Sequence, residues 1–432
     1  METVLCSKKW FASRVARVCI VVAVLLILGS NGIVERNNHR SDVLTFLGDR
    51  VVSPDTLPSD SFIVTLNRRN NATPLASPTY SIILRGVDPV ERALFQDAQN
   101  GSGNWERFDL FRAAMIAEGI RDIEFIRTHE ARLDDLVARV TAMPHASPQA
   151  LTRALFEAMH REILTQPYSL HCTELSKVMQ TGHFNCVSAT ILFNCIAEKA
   201  GLNAVALEMP GHALSRVKFA DGTYTNIETT APTWFAMQSE QERQRAMLER
   251  IAPTSAMAHP PTAQNAVHAI PEPVLDVTAN HREVNPVQLV AMIYYNRGVD
   301  LIAKKLYAEA AAANIRALYL DRDSGKAWTN LLVSLNQWAI DVAARERTHR
   351  LYDLAAFLLD QGTALDPTFP EFRANYVFVF HDWMRDLALL GRFEDARGVF
   401  AIAQERIPNN ATLLTMLEGV NQEAAKLRRT LP

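Results

Sequence analysis

Apolar and polar positions divide the chain into stretches of different period. An unbroken apolar run from Val18 to Leu28 follows the cations Lys8, Lys9, Arg14 and Arg17. Residues 35–87 carry Asn, Ser, Arg, Asp and Pro with only short apolar pieces such as Phe62-Ile63-Val64, which predicts a weakly ordered spacer. From 88 to 166 the period becomes helical. Leu133, Leu136, Val137 and Val140 fall at i, i+3, i+4 and i+7, and Leu151, Leu155 and Met159 continue after a break at Pro144 and Pro148. A helix is then predicted over 187–200, capped by Gly201, followed by strands over 204–209, 215–219 and 224–227. Asp221-Gly222 between the last two is a hairpin signal, and a further helix is expected over 238–251. Pro253, Pro260, Pro261, Pro271, Pro273 and Pro286 mark 252–286 as a linker and a domain boundary. Asn285 and Pro286 have the chemistry of an N-cap and a first helical residue, and helical period runs from 287 to 427.

The amino-terminal pattern, a basic flank before an apolar core, is that of an export signal. Eleven apolar residues are short for roughly 30 Å of hydrocarbon. Counted from Val15 to Val34, the segment just spans. No small-x-small site stands out at Gly29 and Ser30, which favours an uncleaved anchor over 1–34. The basic flank stays cytoplasmic, so the body is expected across the membrane, in the periplasm if the source is bacterial. Composition narrows the classes further. With 44 Lys+Arg against 47 Asp+Glu, the formal net charge of −3 offers no field for a nucleic-acid backbone. Five cysteines, Cys6, Cys19, Cys172, Cys186 and Cys195, are too few and odd in number for a disulfide framework, which leaves a free reactive thiol open.

The last third carries an internal repeat. Trp328 and Asn330 recur 34 residues after Tyr294 and Asn296. The stretch Tyr294, Asn296, Gly298, Tyr307, Ala310, Ala317, Leu318, Leu320 and Asp321 resembles a tetratricopeptide repeat, which has that period. A second, longer copy ends in Ala355, Leu365, Asp366 and Pro367, and a third in Gly391, Phe393, Ala396, Phe400, Ala403 and Pro408. Small residues let two helices cross closely and aromatics fill the seam between units. Such a module implies a protein or peptide partner.

Chemistry concentrates between 180 and 230. The chain presents Gly182-His183-Phe184-Asn185-Cys186-Val187-Ser188-Ala189, then Pro210-Gly211-His212-Ala213, then Asn226-Ile227-Glu228-Thr229-Thr230. A nucleophilic thiol needs a base, and the base needs a third group to fix its tautomer and stabilise its charged form. Cys186 falls at a predicted helix start, where unsatisfied N–H groups and the dipole lower a thiol pKa. His212 and Glu228 fall on neighbouring predicted strands, able to point to one face. Cys195, nine residues after Cys186, reads as core. His171, Cys172, His183 and Cys186 lack the paired spacing of structural zinc sites, so neither a metal nor a cofactor is expected.

The order cysteine, histidine, acid on Asn-Cys-Val-Ser-Ala, Pro-Gly-His-Ala and Glu-Thr-Thr resembles the transglutaminase-like superfamily of papain-type cysteine enzymes, and more closely the bacterial members followed by tetratricopeptide repeats. The resemblance covers roughly 105–425 and is strongest over 180–230. It implies an α+β papain/transglutaminase-like domain over 88–251 and an all-α repeat domain over 287–427. It also implies a nucleophile at Cys186, a general base at His212 and an orienting acid at Glu228, where many members carry Asp. Papain-type enzymes use a glutamine six residues before the cysteine as an oxyanion donor, which points to Gln180. The Cys-to-His spacing of 26 is compact for a transglutaminase proper and favours hydrolysis of a peptide or amide over transfer to an amine. The competing expectation is a catalytically idle papain-like domain within a protein-binding scaffold.

Overall fold

The computed structural model describes residues 44–48, 58–66, 80–237, 239, 242–243, 281–345 and 347–430. The export segment over 1–34 and nearly all of the helix expected over 238–251 lie outside the described residues, as do the linker residues 252–280. The chain is mixed α and β and mainly helical, with two small antiparallel sheets. It divides into two compact units, the first taking its described residues from Val87–Ala303 and the second from His39–Gly86 and Lys304–Pro432.

The first unit opens with helices α1 (Pro89–Asp97), α2 (Leu110–Glu118), α3 (Ile123–Thr141), α4 (Pro148–Glu162) and α5 (Leu175–Thr181). Each of the first four begins at a side-chain cap, Asp88, Asp109, Asp122 or Ser147, whose oxygen accepts otherwise unpaired N–H groups. Leu133, Leu136, Val137 and Val140 on α3, and Leu155 and Met159 on α4, are buried as their spacing predicts.

Helix α6 (Cys186–Lys199) is buried at every residue from Cys186 to Ala197. A helix buried all round has no solvent face to offer, so it runs through the middle of the unit. It packs on α2, α3, α4 and α5 and on strands β4 (Asn203–Met209) and β5 (His212–Lys218). Gly201, at φ +75°, ends it, with the Leu202 N–H returning to the Ala197 carbonyl. Burying Ile191, Leu192 and Phe193 stabilises the unit by about 1.5–3 kcal/mol per side chain.

The sheet order is β6-β5-β4-β7, with β6 (Tyr224–Ile227) and β7 (Arg282–Val284) at its edges. Thus the end of the stretch read as a linker is a strand paired with β4. Three residues are too few to show a period. Helix α7 (Pro286–Ala303) follows, closed by reciprocal bonds between Asn285 and Gln288, and it packs on α2, α6, β4 and β7. It therefore belongs to the first unit, although the 34-residue repeat pattern begins on it.

The second unit contains strands β1 (Leu44–Gly48), β2 (Phe62–Leu66) and β3 (Tyr80–Leu84) in the order β1-β3-β2. The region read as a spacer thus contributes a sheet, with Val64, Ile82 and Leu84 fully buried. Helices α8 (Tyr307–Leu320), α9 (Gly325–Arg345), α10 (His349–Leu365), α11 (Pro370–Leu389), α12 (Phe393–Arg406) and α13 (Ala411–Thr430) pack each on the next. Strand β2 lies on α8, where Phe62 meets Tyr319 edge-on at 5.2 Å. None of the helices among the described residues is long and apolar enough to cross a membrane.

Candidate active site

Cys186 is the first residue of α6, and its position is set by the residue before it. The Asn185 side chain accepts the N–H groups of Val187 and Ser188, both at 3.0 Å, while the Ser188 hydroxyl accepts the Asn185 N–H at 3.0 Å. This capping box fixes the first turn. The amide nitrogen of Asn185 also donates to the Leu170 carbonyl and to Thr173 Oγ1, which ties the preceding loop to the helix start. The Cys186 N–H, at the first helical position, has no acceptor within the helix.

His212 opens β5 just after Pro210-Gly211. Met209 pairs with His212, so the β4–β5 turn has two central residues, with Gly211 at φ +69°. On the other side of β5, Ser215 pairs with Ile227 of β6. Continuing that register one step sets Glu228 opposite Leu214, diagonal to His212 on the same face. The contact follows: His212 Nε2 and Glu228 Oε2 are 2.6 Å apart, with both side chains buried. Nε2 being engaged there, Nδ1 is left for the second partner of His212, the Cys186 thiol. The same alternation turns the Ala213 N–H toward the β6 side, beyond the last β5–β6 pair, where it slightly favours a thiolate at Cys186.

These three groups shift one another. Burial opposes a thiolate at Cys186, but the hydrogen bond and charge of His212 outweigh it and hold the thiol below its ordinary value. For His212, burial opposes the imidazolium. The Glu228 charge, with the Cys186 and Glu228 hydrogen bonds, overcomes this and pushes the ring up to about 10. Glu228 is held below the usual carboxylate range because the His212 charge and the His212 and Thr230 hydrogen bonds exceed the cost of its burial. Each group thus favours the charged form of its neighbour, with His212 between the other two.

Cys186, His212 and Glu228, the cysteine, histidine and acid read from the sequence, therefore meet. Gln180 does not join them. Leu175, Val178 and Met179 form the inward face of α5, which leaves Gln180 with Lys177 and Thr181 on the exposed side. Among the described residues no hydrogen bond links Gln180 to the other three. Cys195 is in the core, its thiol pushed up chiefly by burial. His171 meets Asp300 at 3.2 Å and His183 meets the Pro167 carbonyl at 2.9 Å, so these rings face different partners. Among the described residues no group of three or more His, Cys, Asp or Glu side chains could hold a metal.

Two neighbours of the site were not legible. His160 on α4 meets the Thr229 carbonyl at 3.1 Å, and burial pushes it down to about 4, so it stays neutral beside the line. Its only sequence signal is Phe156 one turn earlier, whose ring it contacts at 4.6 Å. Tyr295 of α7 donates to Glu208 at 3.0 Å, and Glu208 pairs with Arg282 of β7 at 2.6 Å. Burial and the Glu208 charge push this phenol up, with a further push from Cys186. No protein-family model matches the chain, and no curated protein matches it.

Proposed function

We propose that the protein is an exported, membrane-anchored cysteine enzyme of the transglutaminase-like class that hydrolyses a peptide or amide bond. The observation that carries this reading is the Cys186–His212–Glu228 line, with its thiol held low and its imidazole raised to about 10. The thiolate attacks the carbonyl carbon and forms a C–S bond. The Cys186 N–H, at the positive end of α6, is the donor for the oxyanion. His212 gives its proton to the departing nitrogen as the C–N bond breaks, leaving an acyl-thioester. Water then attacks the thioester, His212 takes its proton, and rupture of the C–S bond restores the thiolate. No cofactor enters these steps.

The same proposal takes the helices from Tyr307 onward as tetratricopeptide-like repeats that bind a protein or peptide partner. Sequential packing of α8 to α13 supports it, as does the small Gly362 where α10 meets Phe372 of α11. The papain/transglutaminase-like architecture of the first unit, the anchor at 1–34 and the exported location belong to this proposal too. A catalytically idle domain in a binding scaffold is the second reading. It draws on burial, since Cys186 is 9% exposed and His212 4%. An activated ester separates the two. With p-nitrophenyl acetate, the full chain gains one acetyl group, on Cys186, and water then removes it. Intact mass follows both steps. No adduct, or an equal adduct in Cys186→Ala, contradicts the enzyme reading.

A further inference from the structure

Glu228 has two carboxylate oxygens, and the imidazole uses only Oε2. Oε1 accepts both donors of one residue: the Thr230 N–H at 3.0 Å and the Thr230 hydroxyl at 2.6 Å. Glu228 is 0% and Thr230 2% exposed, so solvent does not replace these bonds. Thr229 between them is fixed independently. Its carbonyl meets His160 of α4 at 3.1 Å, and its hydroxyl meets that of Thr190 at 3.0 Å, one turn along α6 from Cys186. The backbone of 228–230 is thereby held against the helix that carries the thiol. What remains free is the aim of the carboxylate. A glutamate has one more rotatable bond than an aspartate, so it needs a second anchor for one oxygen to meet the ring in a single geometry.

We propose that Thr230 is a positioning residue for this site: its hydroxyl and N–H hold Oε1 of Glu228 so that Oε2 stays aimed at His212 Nε2. The proposal rests on the reading of Cys186 as a nucleophile paired with His212. The titratable groups facing Glu228 are His212 from β5, Cys186 from α6 and His160 from α4. His160 is neutral, so the charge that Glu228 balances is the imidazolium. Hydrogen bonds to a buried charged acceptor are among the stronger ones, and removing one donor leaves that acceptor short. Without the Thr230 hydroxyl the carboxylate supports the imidazolium less well, and the thiolate loses part of its partner.

The test is the pH dependence of Cys186 alkylation by iodoacetamide on the full chain, compared among wild type, Thr230→Val, Thr230→Ala and Thr230→Ser. Val and Ala move the acidic limb up by about one pH unit, roughly tenfold in rate on that limb. Ser, which keeps both donors, restores the wild-type profile. Thermal unfolding reports whether each variant is folded, and Ala replaces Val if the added methyl is not accommodated. An acidic wild-type limb that none of the folded variants moves overturns the proposal while leaving the Cys186 reading intact. A Ser variant shifted as far as Ala also overturns it. A wild-type limb at the ordinary thiol value overturns the Cys186 reading itself.

Discussion

Asn185 shows how one side chain can serve both fold and site. Its oxygen caps α6, and its amide nitrogen bonds Leu170 and Thr173, with the residue only 3% exposed. Asn185→Ala removes the cap and leaves buried partners unsatisfied, at a cost of about 2–4 kcal/mol. Urea unfolding checks this, and a loss under about 0.5 kcal/mol, as for a surface site, would contradict it. At this scale the sequence was informative where chemistry is local. Cysteine at a helix start, histidine after a Pro-Gly turn and glutamate at a strand end can be read from short motifs. Gln180 could not be placed that way, because its offset from Cys186 does not reveal which face of α5 turns inward. Thr230 lies only two residues from Glu228, but a motif does not show that its hydroxyl turns back to the carboxylate. His160 was illegible because helix packing brings it to Thr229, 69 residues away.

Among the elements, α6 and the β4–β5–β6 sheet position the site, and both follow from caps, turns and patterned apolar residues. Strands β1 to β3 and β7 were harder to read, since each has five residues or fewer and none carries a long alternation. The helices of the second unit depend on close crossings. A Cβ on Gly362 of α10 would run into the Phe372 ring of α11, which is itself 1% exposed. Gly362→Ala is therefore expected to destabilise the second unit by about 1–3 kcal/mol despite the better helix propensity of alanine. Thermal unfolding measures it, and an unchanged or higher midpoint would mean that the crossing has slack.

On the scale of the whole molecule, buried titrating groups pull stability in opposite directions. His212, raised from 6.5 to about 10, contributes stability that is complete below pH 6.5 and lost as the pH rises through 10. Glu228, lowered from 4.5, contributes stability that is complete above pH 4.5 and lost as the pH falls through its native value. Burial instead raises Asp109 to about 6 and Glu118 to about 7, so those groups favour the native state less as the pH climbs through that range. The difference in unfolding midpoint between wild type and His212→Gln isolates the site from that background. Cys186, lowered from 9.0, gains as the pH rises to 9 and so offsets the His212 loss below that point, and the difference is expected to narrow between pH 9 and 10. A difference that grows toward pH 10 would have the wrong sign. The division into two units was only partly visible, because the boundary falls inside a continuous helical pattern: α7 joins the first unit and α8 the second.

The enzyme reading stands or falls on whether Cys186 is a thiolate paired with His212. The pH dependence of its alkylation by iodoacetamide, followed by intact mass in wild type and His212→Ala, tests this most directly. The wild type is expected to react rapidly near pH 6, and His212→Ala to abolish that reaction. Reaction only above about pH 8.5, as for a free cysteine, with no effect of His212→Ala, contradicts the enzyme reading.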